Sequence, residues 1–290
     1  AAVAGLPLDV EIRQEGADLT PGARPVLLDL GHCDPATIRM GQVQRAGGAF
    51  ALRNFRVAIE RAASGLVDAV CFTPFNKAAM RLEHPTYDDE IGFTAEVLGR
   101  PGIVAKEFNI LDGLWNARIT SHVPLSAVAS LITHEAVLEG LRLTDRALKE
   151  SGFAAPRIAV AGLNPHAGDG GNFGHEDDAI IAPAIRAGRD AGIDAEGPFP
   201  PDTVFVRATR GAFDAVLTMY HDQGQIAMKL IGFDRGVTLL GGFPFPICTP
   251  AHGSAYDIAG QGKANFRASQ AAVLLAARMA AGRRATGAPA

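Results

Sequence analysis

Residues 157–192 read RIAVAGLNPHAGDGGNFGHEDDAIIAPAIRAGRDAG, a stretch that joins a short apolar run to a longer amphipathic segment through a glycine-rich loop. The run at 157–163 consists of small and β-branched apolar residues, as in a strand that is buried on both faces. The segment at 176–192 opens with acids and closes on a glycine, which is typical of a helix. A strand followed by a helix is one unit of an α/β fold.

The same alternation runs along the rest of the chain. It predicts the α/β fold class, as a two-lobed three-layer sandwich with a largely parallel sheet and right-handed crossovers. We expect an α/β lobe from 1–120 and 253–290 and a second α/β lobe from 121–252, with ligands at the carboxyl ends of the strands. The other strand-like runs lie at 25–30, 67–72, 117–121, 202–206 and 214–220, and the other helix-like segments lie at 49–65, at 134–152 and from about 265.

The bulk composition is that of an ordinary globular protein, with 290 residues, 48% hydrophobic residues and a formal charge of −4. Acids and bases are mixed along the chain, so we expect no nucleic-acid partner. No apolar run reaches the roughly 20 residues that a bilayer requires, and the first residues lack the features of a signal peptide, so we expect a cytoplasmic protein without a membrane partner. The cysteines Cys33, Cys71 and Cys248 form no CxxC pair, which indicates neither a disulfide framework nor a thiolate metal site.

Three histidines stand directly after strand-like runs, namely His122, His166 and His221. If those strands are parallel, the three imidazoles emerge at one edge of the sheet and can meet. Three neutral imidazoles suit Zn²⁺, Co²⁺ or Ni²⁺ and leave coordination positions open for substrate or water. The spacing leaves open the alternative that these histidines only cap strand ends or form hydrogen bonds in a cleft.

Several motifs together resemble the 4-hydroxythreonine-4-phosphate dehydrogenase family, which belongs with the isocitrate and isopropylmalate dehydrogenases. The motifs cover nearly the whole chain and are TPFNK (73–77), SHVPL (121–125), NPHAGDGG (164–171), YHDQG (220–224) with Lys229, GFDRGV (232–237) and HGSAYDIAGQGKAN (252–265).

The resemblance implies an NAD-dependent homodimer whose active site is shared between subunits. It also implies a divalent metal ion on His122, His166 and His221, for which we expect Zn²⁺ ahead of Co²⁺, Ni²⁺, Mg²⁺ or Mn²⁺. The metal site and the dimer interface would then belong to the second lobe, and the first lobe would contribute to cofactor binding.

The expected cofactor site is the loop at 252–265, because the resemblance assigns the adenosine end of NAD to it and the chain lacks a GxGxxG fingerprint. Glycines in this loop allow close backbone contact with a ligand. The expected cofactor-binding residues are His252, Gly253, Ser254, Asp257 and Asn265. Asp257 and Asn265 could equally be helix caps.

The family oxidises a secondary alcohol β to a carboxylate and releases CO₂. Lys229 matches a substrate-binding lysine of the family and could pair with a substrate carboxylate or donate a proton. Asp222 and Lys77 are candidates for proton transfer. Two other roles remain open, because Asp222 could instead orient a metal-bound histidine and Lys77 could form a plain ion pair.

The substrate-binding positions depart from the family pattern. Thr94 is kept, but Phe93 replaces a histidine, Thr238 an asparagine and Ile247 an arginine. A buried phosphate without its arginine would be poorly compensated. We therefore expect a small non-phosphorylated carboxylate or hydroxy acid, and specifically a carboxylated cis-dihydrodiol such as terephthalate dihydrodiol.

Two alternatives remain. The first is 4-hydroxythreonine-4-phosphate oxidation in pyridoxal phosphate synthesis, with Arg235 or Arg267 in place of the lost arginine. The second, of a different class, is an inactive metal-binding scaffold. The chain starts at AAVAGLPLDV, whereas family members open with a strand and a GDPxGIGPE loop, so we expect an N-terminal strand to be missing from this sequence.

Overall fold

The computed structural model describes residues 3, 5–20 and 22–286, so 1–2, 4, 21 and 287–290 of the predicted first lobe lie outside the described residues. A two-stranded parallel sheet, β1 (Glu11–Gln14) with β2 (Val26–Asp29), stands apart from the main sheet. The strands of the main sheet are β3 (Val70–Cys71), β4 (Lys106–Leu111), β5 (Leu114–Arg118), β6 (Ile158–Ala161), β7 (Ala195–Phe199), β8 (Ala215–Thr218), β9 (Val237–Gly241) and β10 (Ile247–Pro250).

The main sheet has eight strands in the order β3-β10-β9-β4-β5-β8-β6-β7. The neighbours β5, β8, β6 and β7 are parallel, so their carboxyl ends lie at one edge of the sheet. β4 runs antiparallel to both β5 and β9, and β9 runs antiparallel to β10. The predicted α/β sandwich with a largely parallel sheet is confirmed, although its centre is antiparallel.

Helices cover both faces of the sheet. They are α1 (Arg45–Ala63), α2 (Lys77–Glu83), α3 (Glu90–Val97), α4 (Leu125–Leu131), α5 (His134–Glu150), α6 (Ala182–Asp190), α7 (Val204–Ala208), α8 (His221–Gly232) and α9 (Arg267–Thr286). None of the helices in the described part of the chain combines the length and the apolar character that a bilayer crossing requires.

One element was assigned to the wrong class. The run at 202–206 was predicted as a strand, but α7 occupies it. Val204, Phe205 and Ala208 are its buried residues, and this spacing belongs to one face of a helix.

The apolar core is divided by the sheet. The largest cluster lies on one face and takes side chains from α5, α6 and α9 together with alternate strand residues such as Phe108, Trp115 and Leu239. The other face carries two smaller clusters, one built from α1, α2 and α3 over β3, β9 and β10, and the other from α7 and α8 over β6 and β8. The gap between these two clusters leaves part of this face free of helix.

The predicted division into lobes 1–120 with 253–290 and 121–252 stays a prediction. One sheet runs through both parts, and β9 and β10 of the second part lie between β3 and β4 of the first.

Candidate active site

A row of polar side chains crosses the face of the sheet between the two smaller clusters. Thr249, Thr238, Asn109 and Asn116 are successive register partners on β10, β9, β4 and β5. Partners in register point to the same face of a sheet. We call these four residues the polar row. The Oγ1 atom of Thr249 and the Oδ1 atom of Asn116 are buried without a hydrogen-bond partner.

A cleft of about 300 Å³ lies over the polar row, and α8 and the loop after β10 also contribute to it. A second hollow of about 670 Å³ shares Lys77 and His122 with the cleft. The polar and charged residues that line the cleft are Lys77, Glu90, Glu107, Asn109, Arg118, His122, His221, Gln225, Lys229, Thr238, Thr249 and His252.

Two of the three predicted metal ligands meet in this cleft. His122 follows β5 and His221 begins α8 just after β8, and their ring centroids are 5.6 Å apart. The parallel pairing of β5 with β8 brings the two strand ends together. The Nδ1 atom of His221 lies 2.7 Å from Oδ1 of Asp222, which makes Nδ1 the protonated nitrogen and leaves the Nε2 lone pair free.

The third predicted ligand, His166, lies elsewhere in the same chain. It follows β6 in a tight turn and is exposed, and its ring centroid is 6.0 Å from that of Phe173. It is not among the residues that line the cleft. Within the described residues of a single chain, no group of three His, Cys, Asp or Glu side chains is arranged to hold a metal ion. The two imidazoles in the cleft have the right chemistry for a borderline divalent ion, but one chain alone does not complete the set.

The turn that carries His166 is strained and firmly held. His166, Ala167 and Asp169 have φ of 54°, 54° and 47°, a region that residues other than glycine rarely adopt. The fully buried Asp177 accepts hydrogen bonds from the backbone N–H groups of Leu163 at 2.8 Å and Asn164 at 3.1 Å, and from the Asn164 amide at 2.9 Å. The acid at this position therefore fixes the turn as well as opening the following helix.

The predicted catalytic residues all lie at the cleft or next to it. The Nζ atom of Lys77 is 3.1 Å from Oε2 of Glu90, so the ion-pair role left open for Lys77 is present. Lys229 is exposed and lines the cleft, two turns along α8 from His221. Asp222 contacts His221 and is not among the cleft-lining residues, which fits a role in orienting the imidazole.

The predicted cofactor loop is only partly at the cleft. His252 and Gly253 line it, and the Nδ1 atom of His252 is 2.9 Å from the carbonyl oxygen of Gly253. The Nε2 atom of His252 is therefore an acceptor, and it is buried without a partner. Ser254 is half-buried and Asp257 is exposed, and both lie outside the cleft lining. The Asn265 side chain accepts the backbone N–H of Arg267 at 3.0 Å, which is the capping role considered for it.

The predicted substrate-binding residues divide into two groups. Thr238 and Lys229 line the cleft. Phe93, Thr94 and Ile247 do not, because all three are buried in the interior. Phe93 and Ile247 belong to the core cluster under α1 and α3, and the hydroxyl of Thr94 donates to the carbonyl of Glu90 one turn back in α3. We therefore do not retain these three as substrate contacts.

Sequence reasoning missed the most buried charged group of the cleft. Arg118, at the end of β5, is 2% exposed and pairs with Glu107 of β4. It also donates from Nη1 to Asn109 and from Nε to Ser121 Oγ, the latter at 2.5 Å. Burial lowers the pKa of Arg118, and the charge and hydrogen bond of Glu107 oppose that shift. The signal in the sequence is the alternation of polar and apolar residues in KEFNIL and LWNAR, which directs the polar residues to one face.

Comparisons with known proteins agree with the motifs. The family model described as pyridoxal phosphate biosynthetic protein PdxA matches residues 7–276. A protein of Rhizobium meliloti named "Putative 4-hydroxythreonine-4-phosphate dehydrogenase 2" is 58% identical over 291 residues, which cover 100% of this chain and 83% of the relative. The D-threonate 4-phosphate dehydrogenase of Salmonella typhimurium is 36% identical, over 95% of this chain and 85% of that protein.

Solved structures give the same grouping. The crystal structure of 4-hydroxythreonine-4-phosphate dehydrogenase from Klebsiella pneumoniae has a TM-score of 0.79 and 34% identity, and covers 96% of this chain and 86% of that chain. The terephthalate 1,2-cis-dihydrodiol dehydrogenase from Burkholderia xenovorans has a TM-score of 0.67 and 28% identity, over 92% of this chain and 82% of that chain.

The prediction of a carboxylated cis-dihydrodiol as substrate is wrong. The protein named for such a substrate is less identical and less similar in structure than relatives named for 4-phosphorylated acids. The expected family and the expected class of enzyme, a dehydrogenase, are both supported. By a family match over most of its length and by relatives that align along nearly the whole of it, this chain belongs to the PdxA family of pyridoxal phosphate biosynthetic proteins.

Proposed function

We propose that the protein is an NAD-dependent dehydrogenase that requires a divalent metal ion and oxidises the secondary alcohol of a 4-phosphorylated, four-carbon hydroxy acid. The relatives named for 4-hydroxythreonine 4-phosphate and D-threonate 4-phosphate support this substrate class. The observation that carries the proposal is the meeting of His122, His221 and Lys229 in one cleft.

The metal ion would be held by His122 and His221 of one subunit and by His166 of the partner subunit. Hydrogen bonding to Asp222 leaves Nε2 of His221 available as a ligand. The exposed turn that carries His166, with its left-handed backbone, presents the ring away from its own chain's cleft. A bound divalent ion would polarise the substrate alcohol and its neighbouring oxygen.

Exposed apolar side chains close to the cleft support a homodimer. Ile226 and Leu230 lie one turn apart on α8, and Leu230 is 83% exposed. Leu125, just after the SHVPL histidine, is 71% exposed, and Phe173 beside His166 is 48% exposed. Apolar patches of this kind mark protein interfaces. An interface here would bring the turn of one subunit toward the cleft of the other.

The chain's own residues would bind and orient the substrate for hydride transfer. Lys229 would pair with an anionic group of the acid, and His252 Nε2 with Thr249 Oγ1 would accept and donate hydrogen bonds at the cofactor side of the cleft. The alcohol carbon would give its hydride to NAD⁺, and its O–H proton would leave through the Lys77–Glu90 pair.

The product of that oxidation would be a ketone β to the carboxylate. Such an acid loses CO₂ when the C–C bond breaks and its electron pair remains on the α-carbon. A proton would then be added to that carbon, and we assign this transfer to the ammonium group of Lys77.

The test is NADH formation from 4-hydroxythreonine 4-phosphate and from D-threonate 4-phosphate, with metal content measured in parallel. His221→Ala and His166→Ala should each lose bound metal and turnover. His134→Ala is the matched control, because His134 is also half-exposed but lies at the start of α5, away from the cleft. Wild-type protein that binds metal yet reduces no NAD with either acid would contradict the proposal, and failure to bind NAD would favour the inactive scaffold.

Mixing experiments test the shared site. His166→Ala and His221→Ala subunits, each inactive alone, should form mixed dimers in which one of the two sites is intact. Random exchange would restore about a quarter of wild-type activity. Exchange without any recovery would rule out a site shared in this way.

A further inference from the structure

We propose that Arg118 is a specificity-determining residue that binds an oxyanion of the acid substrate from beneath the cleft. The inference rests on the function proposed above, because it assumes an anionic substrate in this cleft. Arg118 was assigned no role from the sequence. The structure makes it the only arginine among the described residues that line the cleft.

Arg118 has unused donors at the tip of its side chain. An arginine carries five N–H groups, and here Nε, Nη1 and Nη2 each donate once, to Ser121, Asn109 and Glu107. The second N–H on each Nη atom therefore has no acceptor among the described residues. Two N–H groups in a planar fork match the two oxygens of a carboxylate or phosphate.

The fold alone gives no reason for a buried ion pair at this point. The side chains of Arg118 and Glu107 are 2% and 18% exposed. Moving such charges out of water is costly, and a well-packed apolar pair would stabilise the fold as well or better. A pair held beneath a cleft is instead suited to present a charge in a fixed position.

The partners of Arg118 connect it to the other groups of the site. Ser121 precedes the metal-ligand candidate His122. Asn109 accepts a hydrogen bond from Gln225 at 2.6 Å, and Gln225 lies midway between His221 and Lys229 on one face of α8. The guanidinium is thus fixed relative to both ends of the cleft.

The charges of the cleft agree with this role. Lys77 is paired with Glu90, and Lys229 has no ion pair within the part of the chain that is described. An acid with a carboxylate at one end and a phosphate at the other needs two cationic contacts, and Arg118 and Lys229 supply them.

The two arginines considered from the sequence do not compete for this role. Arg235 is 2.9 Å from Asp112, and Arg267 is 3.9 Å from Asp234. Both line a different pocket, beside α9.

The experiment compares Arg118→Lys with the double variant Arg118→Gln, Glu107→Gln. The double variant leaves no unpaired buried carboxylate, so it separates loss of binding from misfolding. Arg235→Gln is the matched control, because it also removes an arginine from a carboxylate partner. Measurements are KM and kcat with the phosphorylated acid and with the same acid lacking phosphate, and calorimetric binding of inorganic phosphate to protein without NAD.

We expect the double variant to raise KM for the phosphorylated acid about 10-fold to 100-fold, with a smaller change in kcat. Arg118→Lys should recover part of the loss, since an ammonium keeps the charge but not the fork. Weaker binding of inorganic phosphate would assign the contact to the phosphate, whereas unchanged phosphate binding with KM raised for both acids would assign it to the carboxylate.

A folded double variant with wild-type KM and wild-type phosphate affinity would overturn the proposal, as would an equal loss in Arg235→Gln. If the wild-type protein reduces no NAD but loses phosphate binding on substitution of Arg118, the proposed function fails and the binding role of Arg118 stands.

Discussion

Replacement of Asp177 by alanine should destabilise the turn that carries His166. The carboxylate is fully buried and accepts three hydrogen bonds, two of them from the backbone N–H groups of Leu163 and Asn164. Each buried donor left without a partner costs about 1–3 kcal/mol, so two such donors give a loss of about 2–6 kcal/mol. That is a large part of the 5–15 kcal/mol by which an ordinary domain is stable.

The free energy of unfolding is measured by urea denaturation with linear extrapolation. Asp177→Asn keeps the volume of the side chain but turns an N–H group toward a donor, so a loss of about 1–3 kcal/mol is expected. Asp178→Ala is the matched control, because this neighbouring acid is exposed and its side chain makes no hydrogen bond in the described structure. Its loss should stay within about 1 kcal/mol.

The reasoning also predicts a functional consequence. If Asp177 holds the turn in its strained geometry, Asp177→Asn should bind metal more weakly at temperatures where the protein is still folded. An alanine variant that unfolds within about 1 kcal/mol of the wild type and retains its metal would refute the assigned role.

Three further outcomes are expected. A Cβ atom at Gly224 would lie 2.0 Å from Oδ1 of Asn116, so Gly224→Ala should lower stability by about 1–3 kcal/mol or more, and an unchanged melting temperature would contradict this packing. Burial raises the pKa of Asp214, but the hydrogen bonds and charge of Arg157 outweigh it and lower that pKa. The ion pair therefore stabilises the protein above the unfolded-state pKa, near 4, and this contribution is lost as pH falls through the lower folded-state pKa, so Asp214→Asn should show a shallower loss of stability in acid titrations; an unchanged slope would argue against the pair. Cys248 is fully buried and its pKa is raised by burial, so iodoacetamide should modify it only after unfolding, and rapid labelling of the native protein would contradict its position.

The fold class was predictable because the strands that are buried on both faces carry a strong signal. β6 and β8 are apolar and fully buried throughout, and both were found from sequence. β4 was missed because Glu107 and Asn109 interrupt its apolar residues, although the alternation itself is a strand signal. The error at 202–206 has the opposite cause, since β-branched residues there form a single helical turn whose packing outweighs local preference.

The candidate site was predictable to the extent that the sheet is parallel. His122 and His221 follow neighbouring parallel strands, and their rings meet as expected. His166 follows β6, which pairs with β8, yet its turn carries it away from the cleft of its own chain. No pattern within one chain encodes the approach of a second copy, so a shared site enters a sequence argument only through a resemblance.

The error over the substrate has a physical explanation in the sheet. Each substrate position was compared singly, and the loss of an arginine at Ile247 was taken as the loss of an anion site. Ile247 and Arg118 lie on β10 and β5, separated only by β9 and β4, and all four strands contribute to the same face. A cation can therefore leave one strand and enter another while the cleft above keeps a guanidinium. Anion recognition is a property of the charges that surround a cleft, and the unit to compare between relatives is the whole row of side chains that crosses the sheet beneath it.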